Sequence, residues 1–323
     1  MKPAECFLLG IAGLACVAAP ITVSAQTYPV KPIRAILGVA GAGETLIRMM
    51  GQKMSEALGQ PLLVDVQAGV AGAIAAEAVS RATPDGYTLL YPSSGSMIYR
   101  VFLVKKTPYD PIRDFTPIAR VAEAVLVVAT SPSAPMRSFE EVIDFAKRNP
   151  GKLFYGTSGV GTVHHLSAEL LGGITGINWV HVPYKDSARL TIDVIGGQVP
   201  IAFGILGTYA QHVNTGKMRL LAINNVARYN RFPDVPTVVE QIPGYEPPPT
   251  WNAFFGPAGL PRPIVQRLNT EIIKAVDHPD VRSKLDGLGI VPRVSSPEEL
   301  GEALKRGLEQ AARIVKMAGI TPE

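Results

Sequence analysis

The chain has 323 residues, 47% hydrophobic and 18% charged, which excludes a disordered polypeptide and allows two domains with cores of their own. Its formal net charge is only +4, and Lys and Arg are scattered among acids, so no basic face for nucleic acid is expected. Both cysteines, Cys6 and Cys16, fall in the first 25 residues, which denies the rest of the chain a disulfide, a Cys-ligated zinc or a Cys nucleophile.

Residues 1–25 read as a signal peptide: Lys2, an apolar run from Cys6 to Ala19, then Val23-Ser24-Ala25 before Gln26. The apolar run is shorter than the about 20 residues needed to span a bilayer. The expectation is therefore export to the periplasm and a mature chain of 298 residues, 323 less 25.

Next come alternating strand and helix patterns. "IRAILGV" predicts a strand, and "TLIRMMGQKMSEALG" a helix whose apolar stripe ends at Gly59. "PLLVDVQ" is a strand, "GAIAAEAVSRA" an Ala-rich helix and "GYTLLYPSS" a third strand. "VAEAVLVVATSP" reads as one long apolar strand, at which the chain first crosses between two domains. A capping box at Ser138 and Glu141 opens "FEEVIDFAKRN". "KLFYGTSG", "INWVHVPY", "QVPIAFGIL" and "MRLLAINN" predict strands, interleaved with "VHHLSAELLGG", "ARLTIDVIGG" and "YAQHVNTG" as helices. The Pro-rich "GYEPPPTWNAFFGPAGLP" reads as a return connection, followed by two last helices. One of these is "PIVQRLNTEIIKAVD"; the other opens at Ser296-Pro297-Glu298-Glu299. This rhythm predicts an α/β fold in which one βα set is inserted in another. The expected lobes are 28–124 with 226–323, and 125–225, with a ligand cleft between them.

In chain order, "YPVKPIR", "EALGQPLLVD", "ATPDGYTLL", "YDPIRDFTPIA", "NPGKLFYGTSGVG", "HVPYKDSA", "GGQV", "FPDVPTVVEQ" and "WNAFFGPAG" make the sequence similar to the Bug family. These are periplasmic solute receptors of the tripartite tricarboxylate transporter type, and the resemblance runs from Tyr28 to Gly319. It implies a two-lobed, type II periplasmic-binding-protein-like fold that closes on a small organic carboxylate. It further implies no catalytic activity, no cofactor and membrane permease subunits as partners; a monomer is expected.

The loop Ala40-Gly41-Ala42-Gly43-Glu44 precedes a helix, where glycines let a ligand approach the backbone and free N–H groups favour an anion. A dinucleotide fingerprint is the rival reading, with Asp65 at the end of the next strand, but Leu46 stands where its third glycine belongs. The loop departs from the family's Pro-Pro-Gly-Gly-Gly-Thr-Asp pattern. Glu44 either serves the helix N-terminus or faces the cleft.

The favoured binding motif is "YGTSGVGTVHHLSAE": Thr157, Ser158, Gly159, Gly161, Thr162 and Val163 combine hydroxyls with amides at a helix start. The resemblance places this loop at the carboxylate end of the cleft. A nucleophile elbow at Ser158 is broken by Val160, although His181 and His212 follow. His165 and Glu169 share a helical face, but two ligands make no metal site, and one solvated and one packed histidine are expected at His164-His165.

Ser93, Ser94 and Gly95 follow the third strand, at the end of the sheet where ligands gather. Tyr184 and Ala188 belong to a block similar to the family's Tyr-Lys-Gly-Ser-Ala, with Asp186 in place of Gly. Phe203-Gly204 stands where many relatives have Phe-Asp. Trp251, Phe254 and Phe255 read as lobe core. Affinity is expected from many neutral donors rather than from an arginine.

Overall fold

The computed structural model describes residues 28–38, 42–67, 69 and 72–322. The expected signal peptide, together with Ala40 and Gly41, lies outside the described residues.

The chain opens with β1 (Ile33–Leu37), α1 (Ala42–Leu58), β2 (Leu62–Val66), α2 (Ala73–Ser80) and β3 (Thr88–Leu90). The α1 stripe forms as its spacing requires: Leu46, Ile47, Met50 and Met54 are buried against the sheet. Each such burial is worth about 1.5–3 kcal/mol. A π-helical turn, Gly95–Tyr99, runs directly into α3 (Arg100–Leu103) and then β4 (Phe115–Ala124).

The second sheet is built from β5 (Leu126–Thr130), α4 (Phe139–Arg148), β6 (Phe154–Thr157), α5 (Val163–Thr175), β7 (Val180–Pro183), α6 (Ser187–Ile195), β8 (Ile201–Ile205), α7 (Leu206–Asn214) and β9 (Arg219–Ile223). Then α8 (Val238–Gln241), β10 (Trp251–Pro257), α9 (Arg262–Asp277), α10 (Pro279–Gly287), β11 (Ile290–Pro292) and α11 (Pro297–Met317) follow.

The strand orders are β11-β4-β10-β3-β1-β2 and β7-β6-β8-β5-β9. In the first sheet β1 is parallel to β2 and β3, while β10 runs antiparallel to β3 and β4. In the second, β6 is parallel to β7 and β8, while β5 runs antiparallel to β8 and β9. Helices cover both faces of each sheet, so the fold is α/β and two-lobed, and each sheet carries two apolar cores.

Three sequence expectations change. The run "VAEAVLVVATSP" is two strands in different sheets, broken at Val125, whose N–H goes to Gly289 O (2.9 Å) and whose carbonyl takes Leu206 N–H (2.8 Å). Buried strands on either side keep the run apolar, so the break leaves no mark in the pattern. The Pro-rich return contains β10, an inner strand of the first sheet. Between the two last helices lie α10 and β11, so the tail has three helices.

The chain stays on the second sheet through Tyr229, Val238 and Tyr245 and returns just before Trp251, which also moves the expected lobe boundary at residue 226 to between Tyr245 and Trp251. The first passage is spanned by Asn225. Its Oδ1 accepts Leu126 N–H at 2.8 Å and its Nδ2 donates to Ala124 O at 3.0 Å. A further link is α11, which leans on α5. It starts with a complete capping box, Ser296 and Glu299 each taking the other's backbone N–H. At α4 the box is half made: Ser138 caps Glu141 N–H, but the Glu141 carboxylate takes Arg137 N–H instead.

Candidate functional site

Between the two sheets lies a cavity of about 620 Å³, within the usual range for small-molecule sites. One wall is the segment after β3, from Ser93 to Val104, with Ala124, Thr250 and Asn252 beside it; the other is Val160 to His164, with Leu126 and Ile205. The walls meet where Gly161 packs on Leu103: a Cβ on Gly161 would lie 2.7 Å from Leu103 Cδ1, and its φ of +73° also favours glycine. A smaller cavity, about 30 Å³, shares Ser93, Ser96 and Asn252 with the first and reaches Gly38 and Gly43.

Of the expected binding residues, Ser93, Ser94, Gly95, Gly161, Thr162 and Val163 line the main cavity. Gly43 borders the smaller one, opposite the Asn252 amide, while Ala42 is the first residue of α1. Glu44 lines neither. It is held by Arg48 one turn on, Arg48 Nη2 to Glu44 Oε1 at 2.7 Å, so it serves the helix. Asp65, needed for a dinucleotide ribose, is likewise engaged by Arg34 and by Gln67 Nε2 at 3.1 Å.

The favoured loop uses most of its hydroxyls internally. Thr157 is fully buried, with Oγ1 2.7 Å from His181 Nε2 and in contact with the Gly159 backbone. Thr162 Oγ1 donates to Gly159 O at 2.8 Å and accepts His165 N–H, making it the N-cap of α5. Leu166 N–H goes to Thr162 O. The remaining first-turn amides, those of Val163 and His164, have no partner within the helix, and both residues line the cavity.

Four other expected residues are placed elsewhere. Tyr184 turns its hydroxyl to Asp193, 2.9 Å away, and its N–H to Thr157 O. Ala188 N–H is taken by Asp186 Oδ1 at 2.9 Å, because Asp186, extended at φ −136°, is the N-cap of α6. Phe203 belongs to the second-sheet core against Tyr155 and Trp179. Gly204 is covered by the Tyr209 ring, where a Cβ would sit 2.4 Å from the hydroxyl.

Both histidines of His164-His165 are buried, which corrects the expectation that one would be solvated. Burial pushes His165 down, opposed by Glu169, whose carboxylate takes the Tyr155 hydroxyl. His181, stacked on His165, is pushed down to about 4 by burial and then by that neighbour. Burial alone pushes His164 down to about 4, so it is neutral near pH 7. Ser158 Oγ lies 2.9 Å from His164 Nδ1, but His164 Nε2 has no partner, and no carboxylate among the described residues orients the ring as a serine hydrolase would require.

Sequence reasoning missed Arg100. The residue is 9% exposed, lines the cavity, and among the described residues has no acidic partner; its Nε has no hydrogen bond at all. The signal was present: Arg100 is the one charge in "SMIYRVFLV", and a charge inside an apolar run needs a partner or a site. Asn252, the polar residue in "WNAFF", is the second such signal. A second groove of about 570 Å³, lined by residues such as Pro111, Phe115 and Pro297, lies on one lobe alone. Its charged residues include Glu302 and Lys305, already paired at 2.9 Å, so the interlobe cavity is the chemically better site.

Residues 46–320 match the family model described as the tripartite tricarboxylate transporter family receptor, TctC. Protein BugT of Bordetella pertussis is 31% identical, with 97% of each chain covered. The solved structure of R. palustris Rpa4515 with adipate is 30% identical at a TM-score of 0.76, covering 92% of this chain and 100% of that one. MatC (Rpa3494) from Rhodopseudomonas palustris with bound malate is 28% identical at a TM-score of 0.71, covering 89% and 100%.

Proposed function

The chain belongs to the receptor family of tripartite tricarboxylate transporters, and from that premise we propose that it captures a small organic carboxylate between its two lobes. Those lobes are built on the two sheets, 28–124 with the chain from Trp251 onward, and Val125 to Tyr245, with Asn225 spanning the passage at Val125. One observation carries the reading. Among the described residues, those lining the interlobe cavity include a cation without an acidic partner and helix amides without a helical partner, and no acid, in a chain similar over 92% of its length to a structure with adipate. Ser93, Ser94, Gly95, Gly161, Thr162 and Val163 are the contacts from the expected set. Lobe closure around the solute would present a joint surface to permease subunits or to a sensor. The protein would act as a monomer, without catalysis or cofactor, in the periplasm after cleavage behind Ala25.

Thermal-shift screening of the exported protein against mono- and dicarboxylates tests this. A ligand that binds the folded state raises Tm by mass action, by about 2.7 kcal/mol of stability at a hundredfold excess over Kd. Silence across the whole panel would overturn the reading. N-terminal sequencing of the same material should begin at Gln26.

A further inference from the structure

Among the described residues, Arg100 is the one charged side chain that lines the interlobe cavity, and no carboxylate of theirs answers it. A buried guanidinium without an acidic partner is costly unless something else supplies the negative charge. Arg100 sits on α3 directly after the π-helical turn, held from behind by that turn: Arg100 N–H returns to Gly95 O. Around it the wall is apolar, formed by Tyr99, Leu103, Val104, Leu126 and Ile205.

Across the cavity His164 is 8% exposed and its Nε2 is buried without a partner. Its Nδ1 faces Ser158 Oγ at 2.9 Å. When the serine hydroxyl donates to Nδ1, the neutral ring carries its proton on Nε2, an unspent donor just behind the cavity wall that carries the amides of Val163 and His164. This pole offers neutral donors only.

We propose that Arg100 is the counter-ion of the solute and selects a monocarboxylate with an apolar body, the His164 pole taking up a second, uncharged acceptor or water. The charge count decides between solute classes. A monoanion balances Arg100, whereas a dianion would bring a second full charge into a mainly apolar cavity with no second cation among its described lining. The guanidinium fork suits a carboxylate in a two-bonded grip. This inference rests on the solute-receptor reading above and narrows it.

The test is isothermal titration of the exported full chain with hexanoate, cyclohexanecarboxylate and benzoate, with hexanamide as the uncharged control and adipate as the matched diacid. At least one monocarboxylate should bind, tenfold or more tighter than adipate, and hexanamide should not. Arg100→Gln should weaken that monocarboxylate roughly 30- to 100-fold, the range for losing a charge-assisted pair, and Arg100→Lys should fall between. His164→Gln should weaken it by about fivefold or less, since a neutral donor is lost. Without solute, Arg100→Gln should melt no lower than the native protein, because it removes an unpaired buried charge; a large drop in Tm would assign Arg100 a structural role and overturn the proposal. Tight monocarboxylate binding that Arg100→Gln leaves unchanged, or a preference for adipate, would overturn it while leaving the receptor reading intact. Absence of binding by every acid in the panel would overturn both.

Discussion

The two walls of the cavity differ in how their polar groups are used. In and behind the second-sheet wall, Thr157, Ser158 and Thr162 look in sequence like ligand donors, yet their hydroxyls hold His181, His164 and the start of α5. On the first-sheet wall, the segment from Ser96 to Val104 looks like core, yet it carries Arg100, a cation without an acidic partner among the described residues. The hydroxyl-rich loop is mostly scaffold that fixes two amides and an imidazole, while the apolar segment supplies the charge. A polar residue in a loop can satisfy its neighbours; a charge embedded in an apolar run cannot.

The largest effect that would sharpen this comparison is a pH dependence of stability. His164 has a folded-state value of about 4 against an ordinary 6.5. As pH falls through 6.5 the unfolded chain takes up the proton first, so stability is full above that value, declines between 6.5 and about 4, and levels off below. At about 1.4 kcal/mol per pH unit the ceiling for His164 is about 3 kcal/mol. The half-buried His181 shifts in the same direction and adds less. Urea unfolding at pH 7, 5.5 and 4.5 should show this slope, and His164→Gln should flatten it; equal slopes in both proteins would place His164 in a wetter setting than described.

Next in size is Gly161→Ala, at the point where the walls touch. The left-handed backbone costs about 2 kcal/mol for an alanine, and the new methyl meets Leu103. Calorimetry should show solute affinity falling tenfold or more, with partial recovery when Leu103→Ala is added. Recovery distinguishes obstructed wall contact from backbone strain, which the second change cannot relieve.

Thr157→Val should cost about 1.5 kcal/mol in chemical unfolding, because His181 Nε2 loses its partner in a buried setting. Solute affinity should change less than it does for Gly161→Ala, as Thr157 does not line the cavity. A greater loss of affinity than of stability would return Thr157 to the ligand contacts. The smallest effect is expected of Glu44→Ala, which removes a surface pair with Arg48 worth about 0.3 kcal/mol. An unchanged solute profile would leave Glu44 with the helix, and a changed one would bring it back to the cleft.

Much of the fold was legible because its signals are local. The α1 stripe, the Ser296–Glu299 capping box and the alternation of β1 to β3 with α1 and α2 all follow from neighbouring residues. The break at Val125 and the inner position of β10 were not legible, since both depend on partners far along the chain: Gly289, Leu206 and β3 with β4. The site was half legible for the same reason. Glycine and hydroxyl loops announced Ser93 to Gly95 and Gly161 to Val163, but whether a hydroxyl is free depends on tertiary neighbours such as His181. Ala188 and Gly204 show the opposite failure, being filled by Asp186 and Tyr209, residues two and five positions on either side that periodicity does not weigh.

The most direct measurement is a crystal structure of the exported protein grown with the monocarboxylate that binds it best. The account predicts the solute between the two sheets, its carboxylate within about 4 Å of the Arg100 guanidinium and its body against Leu103, Val104 and Leu126. A solute seated in the groove beside Pro111 and Pro297, or one in the cavity that leaves Arg100 without a partner, would contradict it.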